Sequence, residues 1–155
     1  MPQQSNIPRW LIALFFLVAL AGFVDATYLT VQHFLNVAPP CYILTGCDTV
    51  TTSSYSVIVG IPVALLGALY YLFMMVFALF VLDSKKHHLL QHLAFFSWAG
   101  IIAAIYFTAI QAFVIKAYCL YCLASAMSSV MLFLIAQHKW RIHKRHMRAI
   151  SRDSL

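Results

Sequence analysis

Four apolar stretches, each long enough to cross a bilayer, leave this chain few folds to choose from. They run from about Trp10 to Phe34, Val57 to Leu82, Leu89 to Ile115 and Cys119 to Gln137. About 20 apolar residues in a helix span the hydrocarbon core. Lipid offers no water to backbone N–H and C=O groups, so each stretch must close its own hydrogen bonds as a helix. The first run follows a lone Arg9 and so invites a signal-peptide reading. It is longer than a signal h-region and carries no convincing small-x-small cleavage site, so it is read as a retained helix. The expected fold is all-α: an integral membrane four-helix bundle, one domain over 1–155 with a basic tail at 138–155.

Composition agrees. Of 155 residues, 63% are hydrophobic and only 9% charged, against about 25% charged in a soluble domain. Glu is absent, and the acids are Asp25, Asp48, Asp83 and Asp153. A net charge of +6 raises the question of nucleic acid, but six of the ten Lys/Arg lie beyond residue 138, past the last span. With four spans, the N-terminus, the loop "DSKKHH" and the tail share one side and hold nine of those ten charges. The excess of Lys and Arg on cytoplasmic loops then places both termini in the cytoplasm. The tail "HKWRIHKRHMRAISR" interleaves Trp140, Ile142 and Met147 with basic residues, which suits the anionic inner leaflet better than nucleic acid.

The four cysteines fall on the other side. Cys41 and Cys47 lie in the loop "PPCYILTGCDTVTTSSYS", and Cys119 and Cys122 in "YCLYC" at the start of the fourth span. Disulfides persist in extracytoplasmic compartments, so an even number of cysteines there points to disulfide chemistry. Two static staples are the plain alternative. A C-x-x-C pair closes too small a loop to restrain much chain, however. At a helix N-terminus its thiolate gains from free N–H groups and the macrodipole, which suits a redox pair. Lys116 adds a nearby positive charge, or simply snorkels to the interface. The Pro39, Pro40 and Gly46 punctuation suggests a loop that moves. Zinc is the competing use of four cysteines, but the two pairs lack the repeated C-x-x-C of zinc ribbons, and no metal is expected.

Cys41-x5-Cys47, then Ser53, then "VGIPVALLGALYY", then "YCLYC", with "DATYLTVQHF" closing the first span, resembles the vitamin K epoxide reductase family over residues 23–126. Within that family it looks most like the bacterial quinone-linked disulfide oxidases. The resemblance implies an active-site pair, Cys119 and Cys122, facing a quinone held among the helices, with Cys122 as the adjacent thiolate. It implies a shuttle pair in which Cys47 attacks Cys119 and Cys41 exchanges with a separate, periplasmic thioredoxin-like protein. Ser53 matches the family serine near the quinone head group, while its other reading is an N-cap of the second span. Epoxide-reducing members use an asparagine early in the second helix and a tyrosine four residues past the second active cysteine. Here those positions are counted as Ser56 and Ala126, which favours a respiratory quinone, ubiquinone or menaquinone, over the epoxide. The implied setting is a bacterial inner membrane, and no fused thioredoxin-like domain is expected. The differently ordered disulfide bond formation protein B carries its C-x-x-C in the first outer loop, and a non-enzymatic stapled scaffold is the remaining rival.

Asp25 lies inside the first span, where an acid is expensive and functional by default. It is a candidate proton acceptor, with a structural hydrogen bond as the alternative. His87, His88, His92, His138, His143 and His146 stand on the opposite side from the thiols and read as titratable inner-face residues rather than metal ligands. Small residues in "LLGALYY" and "LASAMSS" allow close helix approach. Tyr70 and Phe107 are candidate pocket walls or plain packing.

Overall fold

The structure, a computed structural model, describes the backbone of residues 9–41, 46–83 and 87–153, and the side chains of 10–41, 46–81 and 91–142. Helix α1 (Arg9–Phe34) is followed by a short α2 (Cys47–Thr51), a two-stranded hairpin of β1 (Val57–Ile58) and β2 (Ile61–Pro62), then α3 (Val63–Asp83). Helix α4 (His87–Ala109) runs into a π-helical turn, Ile110–Ile115, and α5 (Leu120–Asp153) ends the described chain. Four segments are long and apolar enough to cross a membrane: Trp10–Phe34, Val63–Val81, Gln91–Ile115 and Leu120–Ile142. This is the all-α four-helix bundle the apolar runs predict.

Two boundaries differ from the expectation. The second span begins at Val63, not Val57, because Val57–Pro62 folds as an antiparallel hairpin with Val57 opposite Pro62. Its turn residues, Val59 (φ 53°) and Gly60 (φ 81°), both adopt the left-handed conformation that tight hairpin turns require. Apolar content alone does not separate this hairpin from the helix behind it. The fourth helix does not stop near Gln137 but continues as helical backbone to Asp153, so the basic tail extends the last span. Lys139, one of its charges, is buried, with no partner for its Nζ among the described residues.

Helix α1 ends in a left-handed cap. Asn36 has φ 55°, its N–H bonds to the His33 carbonyl at 3.2 Å, and the Val37 N–H bonds to the Gln32 carbonyl at 3.1 Å. That pair of bonds satisfies carbonyls a helix end would leave open. Pro39 and Pro40 then prevent any restart.

The helix ends alternate. Leu29 and His33 of α1 meet Val63 of α3, Ile110 of the π turn and Cys122 of α5 around one cavity. Ile12, Ala78, Leu93 and Ala136 meet at the opposite end. Helix α1 packs closely on α3 and α5, and α5 on α4, whereas α3 and α4 touch sparsely. The core is built on small residues, as helix association in lipid prefers: Ala19, Ala26, Ala68 and Ala78 pack around Phe15, Tyr71, Met74 and Leu132. Tyr71 is fully buried, and its hydroxyl donates to the Ser125 carbonyl at 2.6 Å, with the Ser129 Oγ at 2.9 Å. Its ring lies where a side chain on α1 would stand, since a Cβ on Gly22 would come 2.5 Å from Tyr71 Cε1.

Gly22→Ala therefore forces Tyr71 off its bonds to α5 and lowers stability by about 1–3 kcal/mol. Gly67→Ala, where the nearest atom is 3.6 Å away, leaves the thermal midpoint in detergent unchanged. A midpoint for Gly22→Ala equal to wild type would refute this account of the α1–α3–α5 packing.

Candidate active site

The site begins with a missing side chain. A Cβ on Gly46 would lie 2.8 Å from Ala117 Cβ and 2.9 Å from the Tyr118 backbone nitrogen. Glycine lets α2 sit directly on the junction between the π turn and α5. Cys47 and Val50 of α2 are thereby buried against Cys119, with Ile115, Ala117 and Leu120 around them. Cys47 is 1% exposed and Cys119 0%. Cys41 and Cys47 form a disulfide, with Cα atoms 5.9 Å apart, while Cys119 and Cys122 are free thiols. Tyr121 ties the same loop down, its hydroxyl donating to the Pro40 carbonyl at 3.3 Å and its ring lying 5.3 Å from that of Tyr28.

Cys119 is the residue immediately before α5. Its carbonyl accepts the Leu123 N–H at 3.0 Å, as an N-cap carbonyl does. Its sulfur stands where a capping oxygen would, accepting from the Cys122 thiol and from the backbone N–H groups of Cys122 and Tyr121. These bonds hold its thiol down at about 7, the Cys122 thiol having the largest effect; burial and the Asp25 carboxylate push the other way. Lys116 is exposed at a left-handed turn (φ 55°) and is not among the groups acting on Cys119. Cys119 is thus the thiol that its surroundings hold down, while the resemblance implied Cys122 as the thiolate adjacent to the quinone.

Cys122 forms part of the wall of a cavity of about 390 Å³. Gly67, Tyr70 and Tyr71 of α3, Gly100, Ala103 and Phe107 of α4, and Ser125, Ala126 and Ser129 of α5 contribute to it. Tyr70 and Phe107 are thus cavity residues. Tyr70 packs its ring at 5.3 Å from that of Tyr71, and its hydroxyl is buried without a hydrogen-bond partner among the described residues. Ser53 and Ser56 also border the cavity, but each donates locally, Ser53 Oγ to the Val50 carbonyl and Ser56 Oγ to the Ser53 carbonyl, both at 2.7 Å. Neither caps the second span, which starts beyond the hairpin. Ser56 therefore does not stand early in the second helix; Val63 and Ala64 do, and they line the cavity together with Ala126. No carboxamide or phenol occupies those positions.

Gln111, 3% exposed, is the site residue that sequence reasoning missed. Its Oε1 accepts the Cys119 N–H at 3.1 Å, its own carbonyl accepts the Ala117 N–H at 3.2 Å, and it borders the cavity. A lone carboxamide in the run "YFTAIQAFVI" was the available signal, since polar groups in a membrane helix are kept for a partner. His33 likewise reaches the cavity from α1. The Asp25 Oδ2 is buried with no hydrogen-bond partner among the described residues, so no structural bond of the kind considered for it is seen at that oxygen. Among the described residues no three His, Cys, Asp or Glu converge as a metal site. The side chains of His87, His88, His143 and His146, and the loop charges Lys85 and Lys86, lie outside the described residues.

A family described as the vitamin K epoxide reductase family matches residues 13–137, which include all four cysteines and nearly all of the four spans. The chain belongs to that family. No curated protein matches it. It is accordingly a multi-pass membrane oxidoreductase, from a family that uses quinones. The cavity fits such a group: it is mostly apolar, bounded by a free thiol, and runs along the loosely packed seam of α3 and α4.

Since the Cys119 value lies below the ordinary thiol value, its thiolate adds stability above that ordinary value, and the contribution fades as pH falls through about 7. Thiolate ultraviolet absorbance of the reduced protein should titrate in that region, and Cys122→Ala should move the transition upward by removing the main donor. An unchanged midpoint in the variant would refute the Cys122 thiol as the group that holds Cys119 down.

Proposed function

We propose that this protein is a quinone-dependent oxidase of protein dithiols, standing in a bacterial cytoplasmic membrane with its cysteines on the outer face. The observation that carries this reading is spatial order: the Cys41–Cys47 disulfide abuts Cys119, Cys119 bonds to Cys122, and Cys122 borders the cavity. A stapled scaffold has no use for a free thiol pair at the wall of an apolar cavity. The basic inner loop and tail support the sidedness.

The electron path follows from thiol–disulfide exchange, which proceeds by thiolate attack and a mixed disulfide. A reduced extracytoplasmic thioredoxin-like protein attacks the exposed side of the Cys41–Cys47 disulfide at Cys41. Its second thiol resolves that mixed disulfide, leaving Cys41 and Cys47 reduced and the donor oxidised. The Cys47 thiolate then attacks Cys119 in a closed Cys119–Cys122 disulfide, and Cys122 leaves as thiolate. Cys41 attacks Cys47 in the Cys47–Cys119 bond, re-forming Cys41–Cys47 and leaving Cys119 as thiolate. The structure has the disulfide pattern of this last state, and the helix N-terminus stabilises the charge on Cys119. Cys119 and Cys122 would then close to their disulfide, giving up two electrons and two protons to a quinone held beside Cys122 in the cavity, which would supply the oxidant and depart as quinol. Ubiquinone and menaquinone both suit an apolar cavity of this size. The apolar Val63, Ala64 and Ala126 favour a respiratory quinone over an epoxide.

Purified protein in detergent, given quinone and a reduced thioredoxin-like dithiol protein, should form quinol, followed by quinone absorbance, and Cys122→Ala should abolish it. Absence of turnover in wild type across ubiquinone and menaquinone analogues and more than one donor would overturn the reading. Asp25, close enough to act on Cys119, is the proposed acceptor of the thiol proton. Asp25→Asn should cut turnover about 10²-fold, within the range of proton-transfer catalysis, with the thermal midpoint retained. Wild-type turnover in Asp25→Asn would remove Asp25 from the path.

A further inference from the structure

Several polar hydrogens around the cavity are already committed. Thr51 Oγ1 donates to the Cys47 carbonyl, Ser53 to Val50, Ser56 to Ser53 and Tyr71 to Ser125, each at 2.6–2.7 Å. With the Tyr71 proton on that carbonyl, Ser125 Oγ at 3.0 Å and Ser129 Oγ at 2.9 Å donate to the phenol oxygen. The Tyr70 hydroxyl has no partner among the described residues but is shut in over Gly100. Gln111 differs from all of these. Its bonded atom is an acceptor, because the group it meets is the Cys119 N–H. That fixes the orientation of the carboxamide: oxygen to Cys119, NH2 elsewhere. Among the described residues that NH2 makes no hydrogen bond, on a residue 3% exposed that borders the cavity. A donor at the wall of an apolar cavity gains from an acceptor placed there, and a quinone carbonyl, which can only accept, is its complement.

The local backbone accounts for this placement. Ile110–Ile115 is a π turn, a form frequent at functional sites. The turn brings the Gln111 carbonyl to the Ala117 N–H and its side chain to Cys119. One side chain therefore touches both the thiol pair and the cavity.

We infer that Gln111 anchors the quinone, its carboxamide NH2 donating to a carbonyl oxygen of the bound ring while its Oε1 holds Cys119 in place. This rests on the quinone reading above. The donor also meets the negative charge that gathers on that oxygen as electrons arrive, where a preorganised N–H is most effective. With Val63, Ala64 and Ala126 lacking any polar group, Gln111 supplies the donor from the helix before the thiol pair rather than from α3 or α5.

Equilibrium dialysis of short-chain ubiquinone and menaquinone analogues against the detergent-solubilised full chain tests this without turnover. Gln111→Glu keeps the acceptor for Cys119 and replaces the donor, and Gln111→Met removes both. Each should weaken binding roughly ten-fold, the scale of one good hydrogen bond. Each should also raise KM for quinone by a similar factor while KM for the dithiol protein stays put, a split that a merely structural role would not produce. Wild-type affinity in both variants, with wild type binding, overturns the anchor alone. No binding by wild type overturns the quinone reading and the anchor with it. Should neither variant survive purification, infrared spectra of wild type decide: bound-quinone carbonyl bands unshifted, with ¹⁵N-labelled glutamine bands unmoved by ligand, reject the assignment.

Discussion

Everything at the thiol end of this protein depends on one steric contact, the seating of Gly46 against Ala117 and Tyr118. It places α2 on the α4–α5 junction, and so brings the loop disulfide against a cysteine that is far away in sequence. A side chain there would collide with a backbone nitrogen, which has little freedom to retreat. The contact also explains why Cys119 is buried although it stands at a helix terminus. Burial alone would disfavour its charge, and the capping N–H groups and the Cys122 thiol more than offset that effect.

The bundle below the junction is held differently. Lipid gives helices no hydrophobic reason to associate, so close approach over Gly22, Ala26 and Ala68 and the Tyr71 bonds to Ser125 and Ser129 do the joining. These contacts unite α1, α3 and α5, and α4 is attached mainly through α5. The asymmetry creates the cavity, and the same polar cluster that joins the helices lines it. Asp25 stands apart as an acid whose Oδ2 is buried without a partner among the described residues, an arrangement that is costly while the carboxylate is charged.

The four spans and both cysteine pairs were legible in the sequence because hydrocarbon length and side-chain chemistry leave few alternatives. The Val57–Pro62 hairpin was not, since β-branched apolar residues suit a membrane helix and a short strand equally well; only the backbone at Val59 and Gly60 separates them. Ser53 and Ser56 were legible as cavity residues but not as hydroxyls already bonded to the backbone, which depends on how residues 47–56 turn. Gln111 escaped notice because its importance comes from a π turn. In an α-helical register nothing in "AIQAFVI" connects that side chain with Cys119. The Cys119 N-cap was half visible: the thiol pair was placed at a helix start, but which sulfur caps it depends on where α5 begins.

The sparse contact of α3 with α4 has one more consequence. A bundle with an open side completes its core with whatever fills the gap, lipid chain or bound ligand. Occupancy of the cavity then adds to the cohesion of the fold by mass action, rising with the logarithm of ligand concentration over its dissociation constant. Whatever occupies the gap, lipid chain or bound ligand, would in that way act as a structural partner of the bundle.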